Sequence, residues 1–281
     1  MTQPILREKA KRIAFWAKKL SSSFSPGDYL TLFHGQGMEY EESRHYSSGD
    51  DLRRIDWKVT ARADHPYVKV FREEREVSFL VLLDVSKSLF FGSGLRSKIE
   101  VASELAALLA LIAEKRGDRV GVVLFSDQVH FVEVPRKGKS HVRSMVDHIL
   151  SQASKGQKTS ISFGIDQALS VLKRRSFVLL ISDYLDTDYE KALTKLSGLH
   201  DVVAAKIVDE GIDFDLRDIG LQGVDLESNV AGIFKARIGP DEQDASWRAK
   251  IERTGAKPLV LKTSDQTDRV LHLFMKKRRR S

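Results

Sequence analysis

Continuous apolar runs alternate with amphipathic segments over the last two thirds of the chain, and the two patterns predict different elements. A run of strand-forming residues that is bounded by polar or glycine positions is typical of a strand buried on both faces. Four such runs predict core strands at 77–84, 119–126, 176–182 and 201–208. A shorter run predicts a final strand at 258–263. Residues 129–134 alternate in polarity and predict an edge strand that pairs antiparallel with the strand before it.

The segments between the predicted strands have helical periodicity. The strongest covers 97–116, where Ser97 and Glu100 have the spacing of a capping box and Gly117 stands where a helix should stop. Further helices are predicted at 140–153, 160–174, 188–199, 241–254 and 266–276, and a hairpin excursion at 209–239. Core strands that alternate with helices predict an α/β fold, a doubly wound and mostly parallel sheet with helices on both faces.

The first 76 residues have a different pattern and predict an N-terminal extension. Residues 5–20 mix apolar side chains with cations, which indicates an amphipathic helix. This helix could make a peripheral contact with a membrane surface, but packing on the body of the protein or on a partner is favoured. Residues 33–76 are dense in charge, glycine and aromatic side chains, and we interpret them as an ordered, polar-rich segment with its acids and arginines paired. The predicted division is 1–76 and 77–281.

Composition and charge exclude several classes of protein. The 281-residue chain has no cysteine, which excludes disulfides and thiolate metal sites. Its net charge of +7 includes a basic tail at 276–280, which we interpret as solvated charge. Nucleic acid is disfavoured as a partner because no aromatic residues or recognition motif accompany the basic runs. No window has the ~18 apolar residues of a membrane span, and the N-terminus lacks the apolar stretch of a signal peptide. We therefore expect a cytoplasmic location.

The candidate chemistry lies where the predicted core strands end. Asp84, Ser86 and Ser88 follow the first strand at alternate positions, Asp183 follows the strand at 176–182, and Thr159 precedes a helix. Ligands of open α/β sheets bind at the carboxyl ends of the strands, so these side chains are expected at one edge. Two acids and three hydroxyls without a nearby His or Cys suit a hard cation, Mg²⁺ or Mn²⁺.

Each of these residues also has an ordinary structural explanation, because Asp and Ser after a strand are common turn and cap residues. The combination favours a metal site. We expect no enzymatic activity and no catalytic residue. The alternative is a metal-dependent hydrolase that uses the same oxygens to activate water, for which Asp127 or Asp186 would be the general base.

The D-x-S-x-S pattern of Asp84, Ser86 and Ser88, with a later Thr159 and Asp183, resembles the metal-ion-dependent adhesion site of von Willebrand factor A domains. The similarity covers about residues 77–270 in element order. It implies a von Willebrand factor A-like fold in which these five residues hold the metal. It also implies a protein partner that offers a carboxylate to the metal. The sequence departs from that pattern at Leu89, Gln157 and Lys158, and Lys87 and Lys158 add cations near the proposed metal.

The segment before the first core strand resembles a bacterial family known as domain of unknown function 58. The similarity rests on many spaced residues: Gly35-Gln36-Gly37-Met38-Glu39-Tyr40, Arg44, Tyr46, Gly49-Asp50-Asp51, Arg54-Ile55-Asp56-Trp57, Ala61-Arg62, Phe71 and Glu73-Glu74. This resemblance implies an association with MoxR-type AAA+ ATPases. The protein would then be an adaptor or co-chaperone that couples such an ATPase to its client.

Overall fold

The computed structural model describes residues 3–23, 38–73, 77–92, 94, 96–151, 158–209, 221–224, 231–234 and 240–278. The chain forms two compact units, one of residues 1–33 with 78–281 and the other of residues 34–77. By its contacts the N-terminal helix belongs to the unit that contains the sheet. The predicted features at Gly35–Gly37, Gln157 and Glu74, most of the hairpin excursion at 209–239 and the end of the basic tail lie outside the described residues.

The elements follow the predicted alternation of strands and helices. In chain order they are α1 (Gln3–Ser23), β1 (Met38–His45), α2 (Trp57–Thr60), β2 (Tyr67–Glu73), β3 (Ser78–Asp84), α3 (Lys98–Arg116), β4 (Arg119–Phe125), β5 (Val129–Arg136), α4 (Lys139–Leu150), α5 (Ile161–Val171), β6 (Phe177–Ser182), α6 (Glu190–Leu199), β7 (Asp201–Val208), β8 (Leu221–Val224), β9 (Ala231–Phe234), α7 (Pro240–Arg253), β10 (Lys257–Lys262) and α8 (Thr267–Arg278). Short 3-10 turns lie at Leu52–Arg54 and Lys87–Phe90.

Six strands form the central sheet in the order β10-β7-β6-β3-β4-β5. Every pairing in this sheet is parallel except that of β4 with β5, which is antiparallel as predicted. β5 lies at the edge, where Pro135 can be accommodated without loss of a hydrogen bond in the middle of a sheet. β3 lies between β6 and β4, so the strand that carries Asp84 is near the centre of the sheet. The predicted doubly wound, mostly parallel α/β fold is confirmed.

The core explains why the strands are apolar without interruption. β3 and β6 are buried on both faces. On one face, Leu80 and Leu82 belong to a cluster with Ile161 and Ile165 of α5. On the other face lies α3, which begins after Ser97, where the amide donates to a Glu100 carboxylate oxygen at 3.0 Å. A helix that is enclosed between a sheet and other helices is apolar nearly all round, as α3 is.

The N-terminal helix α1 packs on the sheet unit. It contacts α3, and its Ile13, Ala17 and Leu20 are buried. The Arg116 guanidinium, at the end of α3, donates to the Ser21 carbonyl at 2.6 Å. These contacts account for the apolar face of the predicted amphipathic helix. No helix among the described residues is long and apolar enough to cross a membrane.

The unit of residues 34–77 contains an antiparallel pair of strands, β1 and β2, with an irregularity between Tyr40 and Glu42. The predicted pairing of acids with arginines is confirmed for Arg44 with Asp50 and for Arg53 with Asp51, at 2.6 and 3.0 Å. These pairs are solvent-accessible. The unit is therefore ordered by local polar contacts as well as by its strands.

One cation of the basic tail differs from the expectation of solvated charge. Arg278, at the end of α8, has a buried side chain that forms an ion pair with Asp201 at the start of β7. Its guanidinium carbon lies 5.4 Å from the centre of the Phe177 ring. The expectation is wrong for this residue, because its side chain is buried where α8 meets the sheet and has Asp201 as its counter-ion.

Candidate metal site

Two neighbouring strands bring the two predicted carboxylates to one edge of the sheet. β3 and β6 pair in parallel with Leu83 opposite Ile181, so both strands end at the same level. Asp84 is the last residue of β3, and Asp183 follows the last residue of β6. Their exposed fractions are 0% and 4%. Buried carboxylates require compensation by donors or cations, so the partners of each oxygen decide what the site can do.

Both oxygens of Asp84 accept a hydrogen bond. The Ser86 amide donates to Oδ1 at 2.8 Å, which is the turn geometry that Asp commonly makes after a strand. The Ser182 hydroxyl donates to Oδ2 at 2.7 Å from the adjacent strand. Sequence reasoning missed Ser182, although its position directly before Asp183 was a usable signal. The two bonds fix the orientation of the Asp84 carboxylate.

The three predicted hydroxyls converge beside Asp84. The oxygens of Ser86 and Ser88 are 3.2 Å apart, and the Thr159 hydroxyl donates to the Ser86 oxygen at 2.8 Å. All three side chains are buried. In an octahedral Mg²⁺ site with ligands at 2.0–2.1 Å, adjacent ligand oxygens are separated by about 2.9 Å. The two hydroxyl spacings are compatible with a small octahedral cation, and they are also hydrogen-bond distances.

Asp183 has a partner that the sequence analysis did not identify. The Lys98 ammonium donates to Asp183 Oδ2 at 2.6 Å, and both side chains are buried. Asp183 Oδ1 is also buried and accepts no hydrogen bond within the described part of the chain. A buried carboxylate oxygen without a donor is costly unless a ligand or water satisfies it. The signal that could have revealed Lys98 is its place at the first position of a helix, where a cation opposes the helix dipole.

The buried surroundings of Asp84 change the pKa of its carboxyl group. Burial of the carboxyl group, and to a smaller extent the nearby Asp183, raise its pKa, which lies at about 7. The donors on Ser182 and Ser86 lower the pKa and so offset part of that effect. A cation at this position would favour the ionised form of Asp84.

The loop after β6 is held in an uncommon backbone conformation. Tyr184 has a φ of 57°, which non-glycine residues seldom adopt. Its ring is buried against Trp247 with ring centres 4.9 Å apart, and its hydroxyl donates to the Leu180 carbonyl at 3.3 Å. The Ser182 hydroxyl accepts the Tyr184 amide at 3.0 Å. Packing thus maintains the turn that carries Asp183.

The residues fit an oxygen-coordinated cation. Asp84, Ser86, Ser88, Thr159 and Asp183, which were predicted from separate parts of the sequence, lie at one edge of the sheet. They offer two carboxylates and three hydroxyls, the donor set of a hard cation. Among the residues the structure describes there is no cluster of three or more His, Cys, Asp or Glu with metal-ligand geometry, so a metal here would depend on the hydroxyls. The Lys98 ammonium, which is paired with Asp183, opposes a metal.

The two bases considered for a hydrolase have structural partners. Asp127 accepts the Ser126 hydroxyl at 2.8 Å. Asp186 accepts the Ile161 amide at 2.7 Å, which satisfies a donor at the start of α5, and the Thr187 amide at 2.8 Å. The exposed Lys158 adjoins Thr159, and Lys87 is half-buried in the turn after β3.

Comparison with known proteins supports the resemblance. The model of a family described as "Protein of unknown function DUF58" matches residues 42–257. An uncharacterized protein of Mycobacterium tuberculosis, Rv1480, is 32% identical over 294 residues, which cover 99% of this chain and 91% of that protein. The uncharacterized protein Mb1516 of Mycobacterium bovis has the same identity and coverage.

A solved structure shares the fold, and a second is similar at a lower score. An aerotolerance-related membrane protein from Bacteroides fragilis has a TM-score of 0.51 and 17% identity, over 73% of this chain and 98% of that chain. The von Willebrand factor A domain of SpRpn10 has a TM-score of 0.46 and 12% identity, over 70% of this chain and 94% of that chain. The likeness to the Bacteroides fragilis protein supports the predicted fold. The family match and the mycobacterial relatives show that this chain belongs to the DUF58 family, whose function is unknown.

Proposed function

We propose that this protein is a non-enzymatic, divalent-cation-dependent module that binds another protein. The observation that carries the proposal is the convergence of Asp84, Ser86, Ser88 and Thr159 beside a buried oxygen of Asp183 that has no donor among the described residues. These residues would hold Mg²⁺ or Mn²⁺, directly or through water. When bound, the cation would supply positive charge and an open coordination position for a carboxylate of the partner.

The surroundings of the site support a protein as the ligand. Phe91 follows the turn that carries Ser88, and Leu185 follows Asp183 by two residues; their exposed fractions are 40% and 64%. The Phe91 carbonyl accepts the Lys98 amide at 3.3 Å, and the Lys98 side chain reaches Asp183. This chain of contacts puts both apolar side chains on loops of the site. A partner segment with an acidic residue and apolar neighbours would complement it.

The proposal includes the identity of the protein partner. Membership of the DUF58 family motivates a MoxR-type AAA+ ATPase as the partner, with this protein acting as an adaptor or co-chaperone in the cytoplasm. The ATPase, or its client, would supply the carboxylate. The N-terminal helix α1 is the region proposed for any peripheral contact with a membrane, because Phe15 is exposed among its cations.

The experiment is a binding assay with a purified MoxR-type ATPase from the same genome. Immobilised protein is expected to retain the ATPase in Mg²⁺ and to release it in EDTA. Asp84→Ala should abolish retention, and Asp127→Ala, which alters a carboxylate at the same edge of the sheet, should retain it. Equal retention by Asp84→Ala, or retention that EDTA leaves unchanged, would exclude this site as the basis of binding.

A further inference from the structure

The candidate site contains a cation of its own. Lys98 donates to Asp183 Oδ2 at 2.6 Å, and its exposed fraction is 8%. A lysine is rarely buried to this extent unless its charge is paired. It also stands at the first position of α3, where the helix dipole disfavours a positive charge. Two local penalties therefore oppose this placement, and the Asp183 carboxylate compensates for both.

The charges of the site can be counted without reference to any ligand. With both acids ionised, Asp84 and Asp183 contribute −2 and Lys98 contributes +1, which leaves −1. Without the lysine the same residues would carry −2. A site of charge −2, without the lysine, attracts a divalent cation more strongly than a site of charge −1. With the lysine present, the cation must also approach a fixed ammonium.

The two carboxylate oxygens of Asp183 have different surroundings. Oδ2 is occupied by the lysine, whereas Oδ1 is buried with no hydrogen bond to a described residue. An approaching cation therefore finds one free oxygen of this acid, and the other is engaged by Lys98. The lysine compensates the charge of Asp183 but leaves this oxygen unsatisfied.

We propose that Lys98 is a resident counter-cation that stabilises Asp183 when no metal is bound. It also lowers the affinity of the site for divalent cations, an inference that rests on the proposed function. Lys98 thus sets the metal concentration at which the site fills. It is a positioning residue and not a metal ligand. The same cation keeps the metal-loaded site more positive, which favours an anionic partner group.

The test is a calorimetric titration of Mg²⁺ into EDTA-stripped protein at constant pH and ionic strength. Lys98→Gln removes the charge and retains a donor for Asp183, so we expect it to bind Mg²⁺ at least about tenfold more tightly than the wild type. A unit charge a few ångströms away typically changes the binding of a proton by ten- to a thousandfold. Lys158→Gln, which removes an exposed cation next to Thr159, is the matched control and should change the affinity little.

The outcomes separate this inference from the proposed function. If the wild type binds Mg²⁺ and Lys98→Gln binds it no more tightly, the role of Lys98 is overturned and the metal site stands. If neither protein binds Mg²⁺, both proposals are overturned. Lys98→Arg retains the charge, and its Mg²⁺ affinity should stay near that of the wild type. A gain in affinity with Lys98→Arg equal to that with Lys98→Gln would show that packing, not charge, is responsible.

Discussion

Two ion pairs in this protein have the same length and stand in opposite surroundings. Lys98 and Asp183, at the edge of the central sheet, are 2.6 Å apart with side chains 10% and 3% exposed. Arg44 and Asp50, in the unit of residues 34–77, are also 2.6 Å apart, but their side chains are 46% and 19% exposed. Since the distances are equal, burial is what separates the two pairs energetically.

The acids of the two pairs also differ in whether a carboxylate oxygen is left to accept a ligand. Asp50 accepts both terminal nitrogens of Arg44, at 2.9 and 2.6 Å, and the Ser47 amide at 2.9 Å. Asp183 retains a buried oxygen without a donor in the described structure. The exposed pair is a complete structural network. The buried pair is incomplete, and an incomplete buried network indicates a site that a ligand completes.

The largest expected effect comes from breaking the buried pair of Lys98 and Asp183 in the absence of divalent ions. Lys98→Met leaves Asp183 buried without its cation and should lower the free energy of unfolding by about 3–5 kcal/mol. Arg44→Met should change stability little because water replaces the arginine. Denaturant unfolding in EDTA, extended to double-mutant cycles with Asp183→Asn and Asp50→Asn, measures both couplings. Equal couplings would mean that burial does not distinguish the pairs.

The two regions should respond to pH in opposite directions. Burial raises the pKa of Asp84 from 3.8 to about 7, so the folded state holds its proton more tightly than the unfolded state. Stability therefore falls as the pH rises from about 4 to 7 and then levels off. The Arg44 guanidinium lowers the pKa of Asp50, so that contribution is present above 3.8 and is lost as the pH falls below it.

Thermal unfolding in EDTA between pH 4 and pH 8 measures the contribution of Asp84, because the contribution of Asp50 changes only below that window. Asp84→Asn should flatten the decline between pH 4 and pH 7, and Asp50→Asn should leave it unchanged. A decline of the same size in Asp84→Asn would assign it to another group.

An intermediate effect is expected from the hydroxyl that orients Asp84. Ser182→Ala removes the donor to Asp84 Oδ2 and leaves a buried acceptor unsatisfied, which should cost about 1–3 kcal/mol. Ser43→Ala, which removes a donor to Asp56 at 2.8 Å in a partly buried position of the other unit, should cost less. Chemical denaturation of both variants ranks them. A larger loss of unfolding free energy in Ser43→Ala than in Ser182→Ala would contradict the expectation that the buried hydroxyl matters more.

The smallest effect is expected at Trp57, whose exposed fraction is 70%. Trp57→Ser should leave the melting temperature nearly unchanged, because few contacts of the ring are lost. Trp247→Ser provides the contrast, since that ring is buried against Tyr184 at the candidate site. Calorimetric melting curves compare the two variants. A similar loss of stability in both would show that the exposed ring has a structural role.

The sequence was sufficient for the sheet and for the positions of the predicted ligands. Uninterrupted apolar runs identified β3, β4, β6 and β7, because strands buried on both faces have no polar alternation. The ends of β3 and β6 then placed Asp84 and Asp183 at one edge, because parallel strands end together. Both inferences depend on local patterns, which a single sequence contains.

The remaining features depend on contacts between distant residues. Lys98 has one local signal, its unfavourable place at the start of a helix, and Arg278 belongs to a basic run. The burial of both follows from how α3 and α8 pack on the sheet. The position of Ser182 before Asp183 was a signal, but a weak one, because a serine at the end of a strand is common in turns. No local pattern indicates which acid such a side chain will meet, so these partners required the structure.

The central claim is that the oxygen cluster at the sheet edge binds a divalent cation. The most direct measurement is calorimetric titration of Mg²⁺ into EDTA-stripped wild type, Asp84→Ala, Ser88→Ala and the control Asp127→Ala, each checked for native circular dichroism. The account predicts saturable heat in the wild type and in Asp127→Ala, and its loss in Asp84→Ala and Ser88→Ala. The same heat in all four proteins, or none in the wild type, would contradict it.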